Sequence, residues 1–452
     1  MDLFGTAGIR GAVTDTVTPE LALAVGQAAA VDDREFVVAR DGRETGAALA
    51  AAIEAGLESG GATVRRAGQL PTPALAFASR GRRGIMVTAS HNPPTDNGLK
   101  LFVDGKEYDS VAEARIEDRV DEGPDPTAWD EWGASTTVDV LTAYREAVIE
   151  YASAFGAPLD GLRVAVDCGN GMASVATPQV LRALGADVVA LNANVDGHFP
   201  GRASKPTPES LADLREFVSA GEFALGIGHD GDADRIVIVA PDGSVVHEDT
   251  VLAILAEQYV RESDVSDPVV VTTPNASARI DERVRTAGGR VERVHLGGLH
   301  EGIADVHADA DEETDVVFAA EPWKHVHPGL GGWIDGVASA AVFARLVAAA
   351  GLDALREPVT ERPYRKESLT CPDEVKASVM GTLGDRLPET FPDATVSTDY
   401  GIRLAWADAS WLLVRPSGTE PYVRVYAESD SVDALVGEAR TVIERTIDEF
   451  AG

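Results

Sequence analysis

Residues 84–100 read GIMVTASHNPPTDNGLK. The run Gly84 to Val87 is short, apolar and unbroken, the pattern of a strand buried on both faces, and Pro93 and Pro94 forbid a helix directly after it. Ser90 therefore falls on a loop at a strand's end, with His91 and Asn92 beside it and Lys100 ten residues on. In open α/β sheets ligands collect at the carboxyl ends of strands, which is where a reacting serine is expected. The same residues also fit a plain turn whose hydroxyl and imidazole satisfy backbone groups.

Strand and helix patterns alternate on both sides of this stretch. Thr18-Pro19 opens an alanine-rich helix, Phe36 to Ala39 reads as a strand, and Ala47 to Leu57 reads as a helix. The acidic residues Asp118 to Trp132 look like a surface excursion. A second unit starts with the strand Leu162 to Cys168, turns at Gly169-Asn170-Gly171 into a helix near Thr177 to Leu184, and closes around Leu225 to Val239, LGIGHDGDADRIVIV. A third has a helix over Val251 to Tyr259, strands at Pro268 to Thr272, Val291 to His295 and Val316 to Ala319, and a helix starting near Gly336. After a linker from Leu352 to Arg365 the pattern becomes α+β, with strands at Thr395 to Ser397, Ile402 to Trp406, Trp411 to Val414 and Tyr422 to Tyr426, then a helix from Val432 to Phe450. The expected fold is α/β: three successive α/β domains (1–150, 151–248, 249–360) and a smaller α+β domain (361–452).

Charge narrows the partners. Lys plus Arg number 39 and Asp plus Glu 74, so the net charge is 39 − 74 = −35, and only six of the basic residues are lysine. With 44% apolar residues in regular patterns the chain is folded rather than disordered. Such a surface suits concentrated salt, where a Debye length of about 3 Å at 1 M suppresses self-repulsion. No basic stripe exists to neutralise nucleic-acid phosphates. Cys168 and Cys371 form neither a disulfide framework nor a CxxC site, no signal-peptide pattern opens the chain, and no apolar run reaches membrane-spanning length. The reading is a soluble cytoplasmic protein.

Two further segments carry chemistry. Asp230, Asp232 and Asp234 alternate on a glycine-containing loop between apolar runs, with Arg235 next. Crowded oxygen ligands suit a hard divalent cation such as Mg²⁺. An EF-hand would need glycine at its sixth position and glutamate at its twelfth, and here those are Arg235 and Pro241; a solvated acidic turn is the other reading. Arg415-Pro416-Ser417-Gly418-Thr419-Glu420-Pro421 follows one strand and precedes another. Its hydroxyls, backbone N–H groups and the Arg415 fork suit an anion, with Arg424 as a second positive charge; a hairpin with an incidental arginine fits as well. Ser90 lacks the GxSxG elbow of a hydrolase nucleophile.

Together these segments resemble the α-D-phosphohexomutase family from end to end. Phe4 to Gly11 (FGTAGIRG), TASHNP, DGDADR and RPSGTEP occur in the family's order, with smaller echoes at Gly197 to Pro200 and Asp335-Gly336. The resemblance implies four domains with mixed sheets. It implies phosphoserine at Ser90, and Mg²⁺ held by Asp230, Asp232, Asp234 and a phosphoserine oxygen. Lys100 and His91 match positions of proton transfer and phosphate contact, and Arg10 and Arg235 match arginines at the reacting centre. Arg415, Ser417, Gly418 and Thr419 match the clamp on the substrate's other phosphate. The implied reaction interconverts the 1-phosphate and 6-phosphate of a sugar through a bisphosphate intermediate, with a sugar bisphosphate as activator. A base must lose a proton, which arginine does not do at ordinary pH, so lysine at position 100 has a chemical reason.

The sugar loop departs from the family. Where the pattern GExSG is usual, this chain has Ala320-Glu321-Pro322-Trp323-Lys324-His325, leaving Glu321, Lys324 and His325 to face the sugar. Glucose or mannose phosphate is the leading substrate, glucosamine phosphate the runner-up, and pentose phosphate a further alternative. A metal-dependent sugar phosphatase and a non-catalytic sugar-phosphate sensor are the readings from other classes.

Overall fold

A computed structural model of the protein describes residues 3–5, 8–310, 313–417 and 420–451. The first sheet contains β1 (Ile9–Ala12), β2 (Glu35–Arg40), β3 (Thr63–Gln69), β4 (Arg83–Val87), β5 (Asp96–Val103), β6 (Lys106–Glu107) and β7 (Ser135–Thr137), in the order β1-β5-β4-β2-β3-β7 with β6 on β5. It is mixed: β4, β2, β3 and β7 run parallel, while β5 is antiparallel to both β1 and β4. Antiparallel neighbours accept a short connection where parallel ones need a crossover. Hence β4 and β5 are joined by the loop that carries Ser90.

The second sheet has β8 (Arg163–Asp167), β9 (Asp187–Leu191), β10 (Leu225–His229) and β11 (Ile236–Val239) in the order β11-β10-β8-β9, and only β10 and β11 are antiparallel. Their hairpin turn is the DGDADR loop. Farther along, β12 (Asp267–Thr272) and β13 (Arg290–Arg293) pair in parallel, and β14 (Thr314–Glu321) and β15 (Lys324–Val326) form a tight hairpin. The C-terminal sheet is antiparallel, β16-β20-β19-β18-β17, from β16 (Tyr364–Thr370), β17 (Thr395–Ser397), β18 (Ile402–Ala405), β19 (Trp411–Pro416) and β20 (Tyr422–Glu428). The serine, aspartate and sugar loops are thus turns between antiparallel strands, and Ser417 and Glu420 lie between the antiparallel β19 and β20.

The chain divides into two compact units, residues 1–251 with 317–356, and residues 252–316 with 357–452. In the first unit, Ile9, Phe36, Val38, Ile53, Ile85 and Leu99 form a core under the first sheet. Thr18 caps the helix Pro19–Ala30 by accepting from the Leu21 N–H at 3.3 Å. In the second unit, Leu383, Leu404, Leu412, Val425 and Ile443 pack helices against the C-terminal sheet. There, Glu428 is 1% exposed and takes hydrogen bonds from Arg279 Nη2 (2.6 Å) and Trp411 Nε1 (3.0 Å), and a short one from Ser277.

Some elements differ from the sequence reading. The supposed excursion from Asp118 begins inside the helix Ser110–Glu122, and loop character follows it, with Trp129 88% exposed. The linker from Leu352 contains the helix Leu352–Arg356 and the start of β16. Helices Leu141–Ala152 and Asp373–Thr390 went unread; the second is interrupted in pattern by Gly381, Gly384 and Pro388.

Candidate active site

Register brings several of the expected site residues together. Arg10 lies opposite Gly98 and Lys100 opposite Met86, so Arg10, Lys100 and the Ser90 loop stand on three neighbouring strands. A Cβ at Gly98 would sit 2.5 Å from the Ile9 carbonyl oxygen and 2.6 Å from that of Thr88, so only glycine lets these strands close.

Ser90 is wholly buried with φ 50°, the left-handed region that costs a non-glycine residue energy and persists only where its surroundings fix it. The surroundings are Arg43. Its Nε donates to Asp41 Oδ2 (3.1 Å), its Nη1 to the carbonyls of Pro93 (2.5 Å) and Asp96 (2.8 Å), and its Nη2 to those of Ser90 (2.9 Å) and Asn92 (2.8 Å). All five donors of the guanidinium are used. Asp41 also accepts from Thr88 Oγ1 at 2.7 Å, and Thr88 Oγ1 accepts from the Ser90 N–H at 2.9 Å. Burial pushes the Asp41 carboxyl up and Arg43 opposes it.

Ser90 Oγ donates to Asp230 Oδ2 at 2.6 Å and lies 3.4 Å from His91 Nδ1. Burial, then Arg235 and Arg10, push His91 down to about 3, so its ring is neutral at ordinary pH. The approach of the metal-type loop to the serine loop depends on Gly231: a Cβ there would be 2.7 Å from the Ser90 carbonyl oxygen.

Carboxylate oxygens of Asp230, Asp232 and Asp234 all lie within 4.8 Å of one another, and the three residues are at most 2% exposed. Asp232 Oδ2 accepts from Thr72 Oγ1 at 2.6 Å. Asp232 Oδ1 and Asp234 Oδ1 are buried without a hydrogen-bond donor. Burial and the neighbouring Asp234 and Asp232 push Asp230 well above the carboxylate range, while Lys100 and Arg235 outweigh burial and hold Asp234 below it. Buried, like-charged oxygens with unmet acceptor capacity, and no nitrogen or sulfur donor among them, fit Mg²⁺.

Lys100 Nζ donates to Asp234 Oδ2 (3.1 Å) and Glu107 Oε1 (3.3 Å). Burial would lower its pKa, but Glu107 and Asp234 raise it above the ordinary lysine value. The sequence reading needed a base that has lost its proton; in this arrangement Lys100 is an ammonium and hence a donor. Arg235 Nε is 3.8 Å from Asp230 Oδ2 and 3.7 Å from Asp234 Oδ1, and Arg10 Nε is buried with no acceptor.

The sugar-loop expectation is corrected in part. Trp323 sits at φ 71°, a position that favours glycine, in the two-residue turn between Glu321 and Lys324. Lys324 Nζ is 3.6 Å from Glu321 Oε2, its backbone bridges to Arg235, and its charge helps lower Asp234. His325, the next residue on the strand, points to the opposite face. It is 1% exposed with Nδ1 3.0 Å from Ser339 Oγ and Nε2 buried without a partner, and burial pushes it down to about 3, so in this structure it packs in the core.

In the second unit, Arg415 and Arg424 are cross-strand partners flanking the RPSGTEP turn. Arg415 Nη2 donates to Tyr426 Oη (3.1 Å), Arg424 Nη2 to Glu420 Oε2 (2.5 Å), and the Nε of each arginine is buried without an acceptor. Ser417 is buried, and Gly418 and Thr419 lie outside the described residues. Arg43, Thr72, Glu107 and Lys205, whose charge reaches His91, were not singled out in the sequence. Only Asp41-Gly42-Arg43, directly after a strand, carried a local signal.

Ser90 thus meets one of three clustered, buried carboxylates, with Lys100 and Arg235 beside them. The chain belongs to the phosphoglucomutase/phosphomannomutase family, the α-D-phosphohexomutases, and is a mutase of that family. Residues 1–126 match its α/β/α domain I, 142–243 its α/β/α domain II and 391–444 its C-terminal domain. A phosphopentomutase of Thermococcus kodakarensis is 41% identical, covering 99% of both chains. A probable phosphoglucosamine mutase of Methanopyrus kandleri is 39% identical, covering 99% of this chain and 98% of that one. Among solved structures, a phosphoglucomutase/phosphomannomutase family protein of Burkholderia thailandensis superposes with a TM-score of 0.86 at 25% identity, covering 100% and 98% of the two chains. An Aspergillus fumigatus N-acetylphosphoglucosamine mutase, solved with GlcNAc-6P and magnesium, shares the fold with a TM-score of 0.62 at 14% identity, covering 99% and 96%. No helix among the described residues is long and apolar enough to cross a membrane.

Proposed function

We propose that the protein moves a phosphoryl group between Ser90 and a sugar hydroxyl, interconverting the 1-phosphate and 6-phosphate of glucose or mannose. The observation that carries this is Ser90 Oγ, on a residue of strained backbone, 2.6 Å from Asp230, one of three clustered carboxylates of which Asp232 and Asp234 keep acceptor oxygens unmet. Asp230, Asp232 and Asp234 would hold Mg²⁺ together with an oxygen of phosphorylated Ser90. The bound ion supplies positive charge against the negative charge that spreads over a transferring phosphoryl group.

The chain's own residues do the rest. Arg10 and Arg235 bring permanent charge to the reacting centre, and neutral His91 can donate or accept one hydrogen bond at the serine oxygen. As the Oγ–P bond breaks and a bond from phosphorus to the sugar oxygen forms, the hydroxyl proton must leave. Lys100, an ammonium here, would give a proton to the departing Ser90 oxygen and be restored by the proton that the sugar hydroxyl loses, with the reverse order in the return step. Glu321 and Lys324 contact the sugar, and the turn at Arg415, Ser417, Gly418, Thr419 and Arg424 grips the phosphate that is not reacting. The bisphosphate then returns its other phosphate to Ser90.

A second reading, pentose phosphate as substrate, is favoured by the full-length identity of 41% to the Thermococcus phosphopentomutase. The deciding experiment is a panel of glucose, mannose, glucosamine and ribose 1-phosphates with Mg²⁺, high KCl and a trace of the matching bisphosphate. Isomerised product identifies the substrate; free phosphate with no isomer would establish a phosphatase instead, and no turnover on any of them would defeat the proposal.

A further inference from the structure

Lysine is scarce in this chain, six residues against 39 − 6 = 33 arginines. Lys376 lies in the first turn of the helix Asp373–Thr390, with its side chain 11% exposed. Its Nζ meets three acceptors at once: Asp373 Oδ1 at 2.5 Å, the Ser417 carbonyl at 2.9 Å and the Glu420 carbonyl at 2.8 Å. The two carbonyls belong to opposite sides of the turn between β19 and β20.

An ammonium has three donors in a tetrahedral arrangement, and here all three are used, where arginine would bring a longer, planar fork of five. This gives a reason for lysine where the chain elsewhere uses arginine. The consequence is electrostatic. A carbonyl oxygen carries partial negative charge, and Lys376 offsets that of two of them. On the same turn, Arg415 rests on Tyr426 Oη with its Nε unpaired, and Lys366 Nζ, 5.4 Å from the Tyr426 ring centroid, adds to the positive field.

We infer that Lys376 is the positioning residue of the phosphate turn: by holding the carbonyls of Ser417 and Glu420 it fixes the turn in the shape that presents Arg415 to the substrate's non-reacting phosphate. This rests on the reading above that the turn binds phosphate. The test measures KM and kcat for Lys376→Met, Lys376→Arg and Arg415→Ala, with glucose 1-phosphate and ribose 1-phosphate as probes, using whichever turns over. Loss of binding shared by ground and transition states raises KM and leaves kcat nearly unchanged. Lys376→Met is expected to raise KM about tenfold with kcat within about threefold. Lys376→Arg, which keeps the charge and loses the geometry, is expected to raise it as well. A KM within about twofold of the parent in Lys376→Met while Arg415→Ala raises it, or full rescue by arginine, overturns the inference. An unmoved KM in Arg415→Ala overturns the phosphate-turn reading instead. If Lys376→Met does not fold, the KM of Lys376→Arg decides by the same criterion.

Discussion

The Ser90 loop and the RPSGTEP turn are both connections between antiparallel strands, and each is fixed by one basic side chain with every donor engaged. Arg43 spends five donors on Asp41 and four carbonyls of the serine loop; Lys376 spends three on Asp373 and two carbonyls of the turn. Their settings differ. Ser90, Asp230 and Asp232 are wholly buried, whereas the Glu420 side chain on the turn is 50% exposed. Atoms that react need one geometry and a dry, low-dielectric site, where fixed charges act strongly. A grip on a passive phosphate needs a positive field and an open path. Under the proposed function, the difference would separate the place where bonds change from the place where substrate is held.

The strongest blow to the buried side is Ser90→Ala, which is expected to fold with an unchanged Tm and to show no mutase turnover above background in a coupled assay. Activity in that variant would end the assignment of the serine. Next is the carboxylate ring: chelation is expected to abolish activity and added Mg²⁺ to restore it. Asp232→Asn is expected to lower activity at fixed Mg²⁺ by at least about 10²-fold, with a raised Mg²⁺ requirement. If the variant titrates with Mg²⁺ like the parent, Asp232 is not a ligand. Arg43→Lys should cost less, since the serine stays present but misplaced. A kcat lower by about 10- to 100-fold at a similar KM is expected, and a change confined to KM would place Arg43 outside the reacting centre.

The smallest effect is one of pH, in the second unit. Arg293 donates to both carboxylate oxygens of Asp281 at 2.7 Å and outweighs burial to hold its pKa below the ordinary value. A depressed carboxyl stabilises the fold above its unfolded pKa of about 3.9, and that contribution is lost as pH falls through the lower folded value. Asp281→Asn should therefore melt below the parent at pH 7, with the gap closing as pH drops below about 4; a gap that stays constant would show that the pair contributes through packing alone.

Much of this was legible in the chain itself. Strands such as Phe36 to Ala39 and Tyr422 to Tyr426 announce themselves by unbroken or alternating apolar residues, and the order of the serine, aspartate and phosphate loops points to the family. What escaped was contact across long separations. Thr72 meets Asp232 across 160 residues and Arg43 meets Asn92 across 49, and no local pattern encodes either. One error was avoidable. Lys324 and His325 are neighbours on a strand, and the two-residue period of a strand sends them to opposite faces, so both could not have faced one sugar. Lys100 was read from its chemistry alone, without Glu107 from the adjoining strand, and that carboxylate together with Asp234 holds the proton in place.

Amine-directed labelling would read this molecule in an unusual way. Lys100 and Lys324 lie near Asp234, the charge of Lys205 reaches His91, Lys366 lies over the Tyr426 ring and Lys376 holds Ser417 and Glu420, which leaves Lys106 as the sixth. Under the proposed function, a reagent that acylates primary amines would report on the proposed phosphate contacts, with Lys100, buried and held as an ammonium, reacting least. The arginine-rich remainder of the surface stays silent, and protection by a sugar phosphate is visible without mapping a crowded background.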